Sequence, residues 1–120
     1  MTEPEKARLI DWQVGLDATG GNQALLCELI TIFFDEYPKQ LAGIREAIES
    51  RSGKELRRFA HTLKGCLRYF GDSKAGSLAS DLEVMAADDI FDNGSGLLED
   101  LRLEVERLLP ELREYLDEHQ

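Results

Sequence analysis

The stretch "FAHTLKGCLRYFG", residues 59–71, decides how this chain is read. Turned by 100° per residue, Leu56, Phe59, Ala60, Leu63, Cys66, Leu67 and Phe70 gather on one side, the core face of a helix over residues 53–70. Arg57, Arg58, His61, Lys64, Gly65 and Arg68 fall on the other side, three and four residues apart. His61 lies about 200° around the axis from Leu63, so its imidazole faces water near the middle of the helix. Ser52-Gly53-Lys54-Glu55 fits a capping box at the start, and Gly71 fits a C-terminal cap.

Gly65 is the unexpected residue. In a helix interior glycine costs roughly 1 kcal/mol relative to alanine. This one faces outward, one turn from His61, so tight packing against a neighbouring helix does not explain it. It reads either as a tolerated defect or as clearance for something large that must approach the imidazole. The charge around it is also unusual. Residues 54–68 carry Lys54, Arg57, Arg58, Lys64 and Arg68 against Glu55 alone, in a chain of formal net charge −10. A short basic stripe centred on a histidine suits one small anion or an acidic protein pocket better than a polyanion. A neutral, exposed imidazole is a nitrogen nucleophile able to take a phosphoryl group as a phosphoramidate. Lys64 could then neutralise the phosphoryl oxygens, with weaker help from Arg57 or Arg68.

Outward from this helix the apolar residues keep a helical period almost everywhere. Asp11 caps a short helix, "DWQVGLDA", that ends before Gly20-Gly21, and Asn22 caps the next. That second helix has an expected stripe of Leu25, Leu29, Ile32, Phe33, Tyr37, Leu41, Ile44 and Ile48, with Pro38 expected to kink or break it. Asp72 or Ser73 starts a helix with Ala75, Leu78, Ala79, Leu82, Met85 and Ala86 inward. After a long loop, "DDIFDNGSG" (88–96), Asn93 or Ser95 starts a last helix with Leu97, Leu101, Val105, Leu108, Leu112 and Tyr115 on one side, bent at Pro110. Short connections between such helices predict an all-α, antiparallel up-down four-helix bundle with a short extra N-terminal helix, one domain over 1–120.

The length of 120 residues and the 42% hydrophobic content support a packed core. The acidity argues against nucleic acid or an anionic membrane surface as partner. No apolar run approaches the roughly 20 residues of a membrane span, and the polar start "MTEPEKARLI" is unlike a signal peptide, which together predict a cytoplasmic location. Cys27 and Cys66 lie in helical apolar segments and read as reduced thiols. His119, the other histidine, sits in the C-terminal tail, so no metal cluster is expected. There is no phosphate-cradling glycine loop, and no serine or acid stands out as a catalytic partner for His61.

"AHTLKGCLRYFG" resembles the His-x-Leu-Lys-Gly motif of the histidine-containing phosphotransfer (HPt) domains of bacterial phosphorelays. "GLDATGGNQALLCELITIFFDEYPKQLAGIREAI" is similar to the turn, paired leucines and Phe…Pro helix that precede that motif. The resemblance covers about residues 11–87, with the final helix, about 95–117, fitting by length. It implies that His61 accepts a phosphoryl group, through Nε2, from the aspartyl phosphate of a response-regulator receiver domain and passes it to another. It implies that Lys64 steadies the phosphoryl group and that Gly65 leaves room for the receiver. The receiver would supply Mg²⁺ and most catalytic groups, so this domain needs no cofactor. Other implied partners include a hybrid sensor histidine kinase, and the domain is expected to be a monomer. Arg57, Arg58, Arg68 and Tyr69 are candidate partner-binding residues, with Leu67 and Phe34 as further apolar candidates. Asp72, where many members have alanine, is expected to cap the following helix. Two other readings compete: an HPt-like module that binds or sequesters a partner without being phosphorylated, and a small enzyme using His61 as general base.

Overall fold

The computed structural model describes residues 9–119. Five α-helices make up the described chain: α1 (Trp12–Ala18), α2 (Gln23–Ser50), α3 (Gly53–Leu67), α4 (Lys74–Asp88) and α5 (Gly94–His119). A single 3-10 turn, Arg68–Phe70, extends α3. The four long helices pack in a ring, α2 on α3, α3 on α4, α4 on α5 and α5 back on α2. Each is joined to the next by six residues or fewer, the 3-10 turn included, so neighbours alternate in direction, as the sequence predicts.

Local chemistry sets the ends. Asp11, Asn22, Ser52 and Ser73 each accept a hydrogen bond from a backbone N–H in the first turn of the helix that follows. Ser73, not Asp72, is thus the cap of α4. The capping box at Ser52 is half formed: Ser52 Oγ accepts from the Glu55 N–H, while the Glu55 carboxylate turns to Arg58 instead. Gly71 ends the 3-10 turn at φ +89°, a backbone region that suits glycine.

Of the two outcomes expected at Pro38, a kink or a break, the break does not occur. α2 runs unbroken through Pro38, and α5 through Pro110. Both prolines lie on exposed faces, where water can take up the carbonyl that loses its helical partner. The loop before α5 is also shorter than expected, residues 89–93, because the segment Gly94-Ser95-Gly96 is already helical. Phe91 anchors that loop in the core, with the Arg51 guanidinium 5.8 Å above its ring.

The core contains Leu26, Ile30, Phe33 and Ile44 of α2, Leu56, Ala60, Leu63 and Leu67 of α3, and matching residues of α4 and α5. The stripe expected along the first half of α2 is out of phase: Leu25 and Ile32 are exposed, and Leu26, Cys27 and Ile30 are inside. Cys27 and Cys66 are free thiols, and burial pushes both up from the ordinary thiol value, with Glu36 adding to the effect at Cys66.

α1 lies across the end of α3. The Asp11 N–H donates to the Phe70 carbonyl at 2.9 Å, and Trp12 stacks on Tyr115 of α5 at a centroid distance of 3.9 Å. Gly15 lets this helix approach closely, since a Cβ there would stand 2.7 Å from the Tyr69 carbonyl oxygen. The C-terminal end of α3 is therefore held from both sides, which fixes the helix that carries His61.

Candidate functional site

α3 places its side chains as the periodicity predicts. Leu56, Ala60, Leu63 and Leu67 are buried, and His61 and Gly65 are exposed on the opposite face. The His61 side chain is 68% exposed. Lys64, one turn on, is more sheltered, with its side chain 23% exposed. At Gly65 an added Cβ would meet no atom of another element within 4 Å. Nothing inside the fold requires a glycine there.

The structure adds a residue that the sequence reading missed. Glu83 of α4 reaches across to α3 with both carboxylate oxygens. Its Oε2 lies 2.9 Å from His61 Nδ1, and its Oε1 lies 2.5 Å from Lys64 Nζ. The first contact is a hydrogen bond; the second is an ion pair, and the buried Oε1 has no hydrogen bond of regular geometry. No acid stands out in the sequence as a partner for His61, and the fold brings one to it from α4. The Glu83 side chain is only 14% exposed. Burial pushes its carboxyl up, but Lys64 and His61 together outweigh burial and hold it below the ordinary carboxylate value. It is a fixed negative charge beneath an exposed imidazole.

This geometry decides the tautomer. An ionised carboxylate can only accept, so the contact requires a proton on Nδ1. In the neutral ring the lone pair then sits on Nε2. The site presents an unprotonated nitrogen, a lysine ammonium one turn away and an open helix surface beside both.

The other candidates are dispersed. Arg57 is exposed on the turn before His61. Arg58 is engaged, 2.6 Å from Glu55 and 4.3 Å above the Phe59 ring. Arg68 is exposed at the start of the 3-10 turn and lines a shallow groove with Leu9, Asp11, Trp12, Gly71 and Asp72. Tyr69 is half-buried against the core. Leu67 is buried and cannot serve a docking surface. Phe34 is half-buried with the Arg113 guanidinium 4.6 Å above its ring. Among the described residues no three His, Cys, Asp or Glu side chains gather as a metal site, and no helix is long and apolar enough to cross a membrane.

The described chain is an all-helical bundle that presents a histidine, a lysine and a glycine on one face of α3. The model of the Hpt domain family matches residues 28–120, and the chain belongs to that family, whose role is histidine phosphotransfer in phosphorelays. The fold is similar to the crystal structure of histidine-containing phosphotransfer protein B from Pseudomonas aeruginosa PAO1, with a TM-score of 0.84 and 17% sequence identity over 96% of this chain and 100% of that one. No curated protein matches the chain in sequence.

Proposed function

We propose that this domain is a phosphorelay intermediate in which His61 takes a phosphoryl group from the aspartyl phosphate of one receiver domain and gives it to another. The observation that carries this reading is the Glu83–His61 contact, which leaves the Nε2 lone pair facing solvent on a family motif helix. Nε2 attacks phosphorus as the P–O bond to the receiver's aspartate breaks, and the reverse displacement releases the group. Lys64 neutralises the phosphoryl oxygens as a point charge. Gly65 gives the receiver surface room to close over the ring. Arg57, Arg58, Arg68 and Tyr69 form the rim of the docking face, with Arg57 and Arg68 the more available cations. The domain contributes a nucleophile and positioning rather than a complete active site; Mg²⁺ and the remaining catalytic groups belong to the receiver.

The test is incubation with a phosphorylated receiver domain. Acid-labile, alkali-stable label is expected on the wild-type chain and absent from His61→Gln. Label that persists in His61→Gln overturns the assignment. Tight receiver binding with no transfer at all would instead favour a sequestering module.

A further inference from the structure

Proline has no N–H with which to close a helical hydrogen bond, and glycine has no side chain to restrict its backbone. α2 and α5 each carry one interior proline, Pro38 and Pro110. The Phe34 carbonyl of α2 and the Glu106 carbonyl of α5 therefore lack their usual helical donors. α3 carries Gly65, which no contact with another element requires. Three of the four long helices thus each hold one residue that weakens them.

These weak points stand at one level of the bundle. Along the seam between α2 and α5, Cys27 Sγ lies 3.9 Å from the His119 carbonyl oxygen and the Arg113 guanidinium 4.6 Å above the Phe34 ring. At the other end of the seam, a Cβ on Gly94 would stand 2.7 Å from Ile48. This register sets residues 34–38 of α2 beside about residues 106–110 of α5, so the two missing hydrogen bonds lie side by side. Along the seam between α2 and α3, a Cβ on Gly43 would stand 2.6 Å from the Phe59 ring, and the Glu36 charge acts on the Cys66 thiol. Pro38 is therefore level with about residue 64 of α3, next to Gly65. α4 has neither glycine nor proline between residues 77 and 88. It crosses the same level unbroken, and its Glu83 ties it to Lys64.

Resting on the carrier reading above, we propose that the bundle flexes across the plane through Pro38, Gly65 and Pro110, with α4 as its continuous spine, and so fits one docking face to two different receivers. A domain that takes a phosphoryl group from one partner and gives it to another must seat both against the same histidine. Flexing at the level of the site changes the curvature of the face under the partner. The site itself stays tied to α4. Both prolines lie on exposed faces, where water holds the freed carbonyls, so bending there breaks no further backbone hydrogen bond.

The experiment compares amide hydrogen exchange on the full chain in the wild type, Pro110→Ala and Gly96→Ala. Pro110→Ala restores a hydrogen bond in α5, which lies diagonally across the ring from α3. Gly96→Ala strengthens the same helix away from the plane, where a Cβ would meet no other element within 4 Å, and so controls for overall stability. Amides 39–42 of α2 are expected to exchange at least about fivefold more slowly in Pro110→Ala than in Gly96→Ala. Exchange in α2 that is alike in the two variants overturns the shared plane. Function is read as kcat/KM for phosphorylation of His61 by a donor receiver and for its return to an acceptor receiver. Pro110→Ala is expected to slow at least one of the two transfers about fivefold, and Gly96→Ala neither. Phosphoramidate, which gives its phosphoryl group to Nε2 and releases ammonia with no protein docked, should label His61 equally in all three chains. Unchanged transfer in both directions overturns the use of the flexure in docking. If phosphoramidate labels His61 and no receiver does, it is the carrier reading that fails, and the exchange comparison still decides whether the plane flexes.

Discussion

At position 65 the chain carries glycine on an exposed helical turn where a Cβ would touch no neighbouring element. Folding alone would favour alanine, so Gly65→Ala is expected to stabilise the free domain by about 1 kcal/mol, measured by urea denaturation. A bulkier Gly65→Leu is expected to leave the fold intact and to slow receiver-dependent phosphorylation of His61 at least tenfold. Loss of stability in Gly65→Ala would mean that the glycine serves the fold rather than a partner. Glu83 gives a second prediction. Its carboxyl is held below the ordinary value of 4.5, so the folded state binds its proton less readily than the unfolded chain does. That stability is fully present above the unfolded carboxyl value and is lost as pH falls through the lower folded value. The stability gap between wild type and Glu83→Gln should therefore be constant near neutrality and shrink below about pH 4.5; a gap unchanged under acid would contradict it. His61, Lys64 and Gly65 were legible because they share one helix and one period. Glu83 was not, because its contact joins residues 22 apart on two helices, and in sequence it is one acid among many on solvated faces.

At the scale of the element, α3 is held by its buried face and by the clamp at its end. Leu63 is fully buried two residues from His61, so Leu63→Ala is expected to cost about 2–5 kcal/mol in unfolding experiments. Gly71 joins α3's 3-10 turn to α4 at φ +89°, and a Cβ there would stand 2.8 Å from Asp11 Cβ. Gly71→Ala should cost about 1–3 kcal/mol. It should also release Asp11 from the Phe70 carbonyl, visible as faster hydrogen exchange at the Asp11 amide; unchanged exchange there would mean that α1 does not depend on this junction. The helices themselves were readable from caps and periodicity, with four of the expected caps in place. The phase of early α2 was not. "LLCELITIFF" (25–34) supplies apolar residues to two adjacent faces, one through Leu25, Leu29 and Ile32, the other through Leu26, Ile30 and Phe33. Periodicity cannot rank two such faces; packing against α3 and α5 does, and it buries the second.

At the scale of the molecule, an elongated bundle of 46 × 31 × 20 Å with net charge −10 carries one basic strip beside His61. The two act over different ranges. In dilute salt the Debye length, about 30 Å at 0.01 M, is comparable to the width of the bundle, and the overall negative charge repels an acidic partner. At about 0.15 M it shrinks to roughly 8 Å, so that only the nearby arginines are felt by a receiver approaching the ring. Association with an acidic receiver is therefore expected to be faster at moderate salt than at very low salt, in contrast to a uniformly basic surface, whose association only slows as salt rises. The double change Arg57→Glu with Arg68→Glu removes the local attraction and leaves the bundle intact, because both side chains are exposed and neither forms an ion pair among the described residues. Stopped-flow binding should give an association rate about tenfold lower for this variant at 0.15 M salt, with a smaller difference at about 1 M, where the Debye length is near 3 Å. Equal rates at 0.15 M would place receiver docking away from Arg57 and Arg68 and move the interface to another part of the bundle.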